Sequence, residues 1–234
     1  MQLFYNPEIN LNDTAFSFDK EESKHITKVL RKKEGDILFV TNGLGVLFDC
    51  EIILASEKKC TVKIVKTKSQ NPTSFYTHIA VAPTKMNDRY EWFLEKATEI
   101  GIHEITPIIC DHSERKSIKT DRFDKIIQSA MKQSNQLYLP KLNDSISFKD
   151  FINKDFDGIL CIAHCEETNK TLLKEVVKPN QKHIILIGPE GDFSSKEIEL
   201  AIKNKYIPVS LGNTRLRTET AALVACHSIV FSNE

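Results

Sequence analysis

The side chains best suited to chemistry crowd into one stretch, 184–225, which reads IILIGPEGDFSSKEIELAIKNKYIPVSLGNTRLRTETAALVA. Arg215, Arg217 and Glu219 stand there where a short apolar run gives way to an alanine-rich segment. Charged groups beside a helix of small residues are better placed around a ligand than in packing. A guanidinium can stabilise charge that develops during a reaction, and a carboxylate can take a proton. A second carboxylate, Glu190, lies in the loop Gly188-Pro189-Glu190-Gly191. Pro189 fixes one φ angle while Gly188 and Gly191 permit unusual ones, so backbone amides and carbonyls can turn towards a ligand. Ser194 with Glu197 three residues later spells a capping box, which starts a helix directly after the loop. The loop has no Lys-Ser/Thr after its last glycine and does not spell GxGxxG, so neither a P-loop nor a dinucleotide fingerprint is present. Taken alone, it also fits an ordinary strand-to-helix turn.

Both loops need elements to aim them. Each follows a short apolar run, 184–187 and 207–211, and each leads into a helix pattern. In open α/β sheets, loops at the carboxyl ends of strands are where ligands bind. Upstream, strand candidates at 77–82, 105–110 and 158–163 alternate with helical stripes. Tyr90, Phe93, Leu94, Ala97 and Ile100 form one stripe, closed by Gly101. Phe123, Ile126, Ile127 and Ala130 form a second, and Leu172, Leu173, Val176 and Val177 a third, stopped by Pro179. Such alternation predicts an α/β domain with a parallel sheet covered on both faces. Residues 1–70 have a different rhythm. Runs at 37–40, 46–55 and 61–65 separated by turn signals predict a small barrel-like β module, preceded by a short helix over 22–31 with Ile26, Val29 and Leu30 inward. That helix carries Lys24, His25, Lys28, Arg31, Lys32 and Lys33 on its other face with no acid between them, either a solvated face or a surface for phosphate contact. The polar run 66–74 reads as a linker, which puts a domain boundary near residue 71.

Composition narrows the classes. The chain has 234 residues, 41% apolar and 27% charged, which is the profile of a globular protein. No run of about 18 apolar residues suggests a membrane span, and the N-terminus lacks the features of a signal peptide. The six cysteines, Cys50, Cys60, Cys110, Cys161, Cys165 and Cys226, mostly sit in apolar runs and read as reduced thiols of a cytoplasmic protein. The Cys161-Ile-Ala-His164-Cys165 spacing matches no zinc pattern, so no metal is expected and buried strand-end thiols are. With a formal net charge of +0, nucleic-acid binding would need local patches.

IGPEGDFSSKEIE followed by LGNTRLRTETAALVA resembles the paired signature of the RsmE family, 16S ribosomal RNA uridine-N3 methyltransferases of the SPOUT superfamily. Lys24-His25-Ile-Thr-Lys-Val-Leu-Arg31 with Gly35-Asp36, Lys85 and Arg89 with Glu95-Lys-Ala-Thr-Glu-Ile-Gly101, and Ser113-Glu-Arg115 with Gln133-Ser134 and Pro140 resemble its other segments in order. The resemblance implies an N-terminal PUA-like RNA-binding β-barrel domain, residues 1–70, and a SPOUT methyltransferase domain, residues 71–234, whose end threads into a deep trefoil knot. Composition and periodicity give no sign of a knot, and threaded loops are rare. The implied cofactor is S-adenosyl-L-methionine, held by Ile187, Gly188, Pro189, Glu190, Gly191, Leu211, Gly212, Leu216, Arg217, Thr218, Thr220 and Ala221. The implied partner is 16S ribosomal RNA in the small subunit, and the implied active unit is a homodimer. Arg217 would stabilise a deprotonated uracil oxygen or pair with Glu219, and Glu219 or Glu190 would accept the N3 proton. Lys24, His25, Lys28, Arg31, Lys85, Arg89, Arg115, Lys116, Lys119 and Arg122 are the expected RNA contacts. Two departures stand out: Asp192 where the family usually has a second glycine, and Asn135-Gln136 where many relatives have Gly-Arg. The charge of Asp192 keeps open a non-catalytic RNA-binding protein, and methylation of ribose 2′-oxygens is a further alternative.

Overall fold

The structure, a computed structural model, describes residues 2–116, 118 and 120–234. By backbone proximity the chain divides into two units, residues 1–72 with 131–139, and 73–130 with 140–234.

In the first unit, β1 (Leu3–Tyr5), β2 (Ala15–Ser17), β3 (Ile37–Thr41), β4 (Val46–Leu54) and β5 (Thr61–Ser69) form one sheet in the order β1-β3-β4-β5-β2. Alternation along β4 buries Val46, Phe48, Cys50 and Ile52, which join Phe4, Ile26, Leu38, Val40 and Val62 in the core. β1 and β2 are too short to show a period in the sequence. The stretch expected to be a linker is strand as far as Ser69, because Lys66 to Ser69 pair with Asp49 to Val46. The expected helix is α1 (Lys20–Lys24) continuing into a π turn, His25–Val29, with Leu30 N–H donating to the His25 carbonyl at 2.9 Å. The wider turn rotates Val29 out of the stripe; it is 67% exposed while Ile26 is fully buried.

The second unit holds β6 (Tyr76–Val81), α2 (Asn87–Ile100), β7 (Glu104–Ile109), β8 (Lys141–Leu142), β9 (Ile146–Ser147), α4 (Phe148–Ile152), β10 (Ile159–Ala163), β11 (Thr171–Leu172), α5 (Leu173–Val176), β12 (Lys182–Ile187), α6 (Ser195–Lys203), β13 (Ile207–Ser210) and α7 (Thr218–Phe231). Between β7 and β8 lies α3 (Thr120–Gln133), whose last turn belongs to the first unit. The sheet is parallel throughout, in the order β11-β13-β10-β12-β6-β7-β8 with β9 beside β7. Ala80, Ala82, Ile108, Ile162, Ile184 and Leu186 bury one face under Phe148 and Phe151 of α4 and Ile198 and Ala201 of α6. α7 packs on β6, β12 and α2. Its Ala222 and Ala225 are fully buried, so the small residues serve close approach to those elements. The third expected helix shrinks to the single turn α5, since Val177 is already extended at φ −63° and ψ 131°. Among the described residues no helix is long and apolar enough to cross a membrane.

Candidate functional site

Parallel strands put all their carboxyl ends on one edge, so the loops after β6, β7, β10, β12 and β13 meet there. The loop after β12 is the hub. Asp192 N–H donates to the Pro189 carbonyl at 2.9 Å, which closes a tight turn over Glu190 and Gly191. The positive φ of this turn falls on Asp192, at +63°, and not on Gly188 or Gly191 as expected. The two glycines are needed for space. A Cβ on Gly188 would sit 3.1 Å from the Phe193 ring, and one on Gly191 would sit 3.1 Å from His112 Cβ. Asp and Asn tolerate the left-handed region better than other side-chained residues. That explains Asp192 at a position where glycine is expected, and equally Asn135 at φ +56°. Asn135 and Gln136 N–H donate to the Lys132 and Met131 carbonyls, a Schellman ending for α3 within the first unit.

From the hub, bonds run to three neighbouring loops. Glu190 Oε1 accepts from Lys85 N–H, after β6, at 2.9 Å. His112, after β7, sets Nδ1 3.0 Å from the Gly191 carbonyl, and Glu197 Oε1 accepts from Asp111 N–H at 3.0 Å. Asp192 Oδ2 accepts from Cys165 N–H, after β10, at 2.7 Å, while Oδ1 accepts from Phe193 N–H at 2.9 Å. Beyond the hub, Ser194 caps α6 in a full capping box with Glu197.

Two adjoining hollows open at this edge. One, of about 290 Å³, is lined by Ile187, Gly188, Pro189, Glu190, Leu216, Arg217, Thr218 and Ala221. The other, of about 360 Å³, is lined by Leu211, Gly212, Leu216 and Ala221. Gly212 takes φ +138°, and the place of its missing Cβ is open space. Of the expected cofactor residues, Gly191 and Thr220 line neither hollow. Sequence reasoning missed the wall shared by both, Ala163 and Cys165, with His164 and Lys170 beside the larger hollow. The signal was available: 158–163 reads as a strand, and its end is a third loop on the same edge. Cys165 is exposed, in contrast to the expected buried thiol, and the other five cysteines are buried. Burial pushes the Cys161 thiol up to about 12. His164 is 7% exposed with both ring nitrogens unpartnered, and burial, helped by the Lys170 charge, lowers its pKa against the opposing pull of Asp192 and Glu166.

The candidate catalytic groups are arranged unequally. Arg217 is exposed at the N-cap of α7 and lines the smaller hollow. Glu190 is exposed on the same hollow. Glu219 is 7% exposed on the packed face of α7, lines neither hollow, and leaves Oε2 without a partner. None of the ion pairs found among the described residues joins it to Arg217.

Lys85, Arg115, Lys116 and Arg122 together line a further hollow of about 910 Å³ in the second unit, where Lys85 pairs with Glu114 at 2.8 Å and Arg122 with Glu91 at 2.7 Å. Arg89 is half-buried and does not line it. Lys119 lies outside the described residues. Lys24, His25 and Lys28 lie on α1 and its π turn in the first unit, and Arg31 lies just past the end, at φ +55°, where the helix expected to reach it has already stopped. There His25 rests against Phe4 with ring centroids 6.4 Å apart, and Lys28 reaches Glu57 at 3.8 Å.

Compared with known proteins, residues 70–230 match the RNA methyltransferase domain family and residues 18–65 the RNA methyltransferase PUA domain family. The chain is 32% identical over 233 residues to the ribosomal RNA small subunit methyltransferase E of Buchnera aphidicola subsp. Acyrthosiphon pisum (strain APS), with 96% of this chain and 90% of that protein covered. A crystal structure from Porphyromonas gingivalis, described as a probable rRNA-methyltransferase, is similar at TM-score 0.92 and 40% identity, covering 100% of this chain and 98% of that one. A Legionella pneumophila structure, described as a methyltransferase in complex with the bound cofactor SAM, is similar at TM-score 0.87 and 26% identity, covering 99% and 98%.

Proposed function

We propose that this chain, which belongs to the ribosomal RNA small subunit methyltransferase E family, transfers a methyl group from S-adenosylmethionine to N3 of a specific uridine in 16S ribosomal RNA of the small subunit. The observation that carries this reading is the pair of adjoining hollows walled by both signature loops. Backbone groups of 187–190, apolar Leu211, Leu216 and Ala221, and the open space over Gly212 suit an adenosyl group that needs both apolar cover and backbone hydrogen bonds. When bound, S-adenosylmethionine supplies a methyl group already activated by its sulfonium.

The chain's own task is then alignment and charge. Uridine N3 carries a proton at neutral pH, and that proton must leave. Arg217, exposed on the smaller hollow, stabilises negative charge on a uracil oxygen. Glu190, on the same hollow, is the better-placed proton acceptor, and Glu219 is a packing group at the start of α7. The uracil edge is paired or stacked in a duplex, so the base enters unpaired or flipped. The basic hollow around Arg115 holds the RNA backbone, as does the Lys24–Arg31 surface of the PUA-like domain, residues 1–70.

Residues 71–234 form the methyltransferase domain, with its end in a deep trefoil knot. In support, α7 follows β13 yet packs on β6, three strands away across the sheet. A homodimer is supported by α7, where Phe231 is 66% exposed and stacked on His227, and action in the cytoplasm is supported by a ribosomal RNA substrate. Incubating the protein with S-adenosylmethionine and small subunits lacking the modification, then mapping nucleosides by mass spectrometry, is expected to give one new N3-methyluridine. No such product from protein that binds the donor would overturn the reading.

A further inference from the structure

The loop after β10 reaches the start of α6 through Glu166, whose Oε1 accepts from Ser195 Oγ at 2.6 Å, but its tie to the β12 turn itself comes from the other side. Cys165 offers only its backbone N–H, and Asp192 Oδ2 takes it at 2.7 Å. The second carboxylate oxygen of Asp192 accepts from Phe193 N–H at 2.9 Å, so the same side chain is fixed at both ends. Its backbone is fixed too, by the turn bond to the Pro189 carbonyl and by His112 Nδ1 lying 3.1 Å from its own carbonyl. On the far side of this tie, Ala163 and Cys165 are the β10 loop's part of the wall common to both hollows, opposite Arg215, Leu216 and Ala221. Lys170 stiffens that wall from within, donating to the His164 and Glu166 carbonyls at 2.9 and 2.7 Å.

We propose that Asp192 is a positioning residue for the methyl-donor pocket: its carboxylate holds the β10 loop against the β12 loop and so sets the width of the two hollows. This rests on the reading of those hollows as the donor site. A carboxylate bonded to two amides is charge-assisted, and although Asp192 also borders the smaller hollow, both of its oxygens are committed to those amides, so it acts by holding the wall. Glycine at 192 would satisfy the left-handed backbone equally well but would remove the bond that holds Cys165 against the β12 turn, leaving the Glu166 bond to Ser195. The chain has therefore taken on a loop-to-loop bond at a position whose backbone alone does not require one.

Asp192→Gly tests the tie cleanly, since it removes the carboxylate without straining the turn. Asp192→Asn keeps one acceptor oxygen and the same backbone tolerance, and a thermal melt of each variant confirms folding. Cys165 is the exposed cysteine, so its rate of labelling by a thiol reagent reports on the β10 loop directly. Expected for Asp192→Gly is several-fold faster Cys165 labelling, together with S-adenosylmethionine affinity weaker by about ten-fold in calorimetric titration. KM for the donor should rise while KM for RNA and kcat change little, and Asp192→Asn should recover part of both effects. Donor affinity within two-fold of wild type overturns the proposal, and so does weakened affinity with an unchanged labelling rate. Failure of the wild-type protein to bind S-adenosylmethionine overturns the donor-site reading instead; the labelling rates still decide whether Asp192 holds the loop.

Discussion

Arg217 and Glu219 are two residues apart, yet the helix start separates their fates. Arg217 is the N-cap, with φ −72° and ψ 157°, and stays exposed; Glu219 is the second residue of the helix and falls on the packed face. This geometry predicts different variants at each position. Arg217→Ala should lower turnover by about 100-fold or more, in the range of a lost charge-stabilising donor, with an unchanged melting temperature because the side chain makes no ion pair or hydrogen bond found among the described residues. Near-normal turnover would remove it from the mechanism. Glu190→Gln keeps an acceptor for Lys85 N–H but cannot take a proton, so a folded protein with turnover reduced by about 100-fold is expected. Glu219→Gln should leave turnover within a few-fold and hold or raise stability, since it replaces a buried carboxylate whose Oε2 lacks a partner. Single-turnover methylation with each variant separates the two carboxylates; the reverse pattern would move the proton acceptor to Glu219.

Elements with a full apolar period were readable from the chain, and short ones were not. The Tyr90 to Ala97 stripe and Gly101 mark α2 in the sequence, and Gly101 ends it at φ +106° with N–H bonds to the Ala97 and Thr98 carbonyls. Gly101→Ala should therefore cost about 1 kcal/mol through backbone strain alone, because nothing lies within 4 Å of the added Cβ. A urea melt showing no loss would place the helix end elsewhere. The strands β6, β7, β10, β12 and β13 were legible for the same reason, being long enough to carry β-branched runs. β1, β2, β8 and β9 are two or three residues long, and their pairing is decided by distant partners that no local pattern contains. The same holds for the site. The β12 and β13 loops announce themselves with glycine and arginine, whereas the β10 loop enters largely through backbone groups, tied by Asp192 and by the Glu166 bond to Ser195. A backbone wall leaves little mark in side-chain identity, and the Cys161 to Cys165 spacing matches no zinc pattern that would single the loop out.

At the scale of the whole second unit, the two ends of the parallel sheet divide the labour. The carboxyl ends carry the hollows; near the opposite end, buried His78 and Thr106 and half-buried Glu104 and Asn143 form a polar network between β6, β7 and the chain after β8. His78 Nε2 lies 2.7 Å from Thr106 Oγ1, and Glu104 accepts from Tyr76 OH at 2.8 Å and Asn143 Nδ2 at 2.6 Å. Burial is the main cause that pushes His78 down to about 4, with Lys141 and Lys154 adding to it against the pull of Glu104. Burial likewise takes His103 to about 4, and Thr77 N–H donates to its Nδ1, which therefore must stay unprotonated. Both rings are neutral in the fold and titrate near the ordinary 6.5 when unfolded, so the unfolded chain binds protons first as pH falls. Stability is then full above pH 6.5 and declines from there down to about 4. His78 alone accounts for roughly 3 kcal/mol of that decline at 1.36 kcal/mol per pKa unit. Glu104, held below its usual 4.5 by its hydrogen-bond partners despite burial, adds its loss only at lower pH. The melting temperature should accordingly be level between pH 7 and 8 and fall between pH 6.5 and 4.5, with the fall shallower in His103→Gln. A melting temperature that holds steady down to pH 4.5 would mean that these rings accept protons without leaving their places.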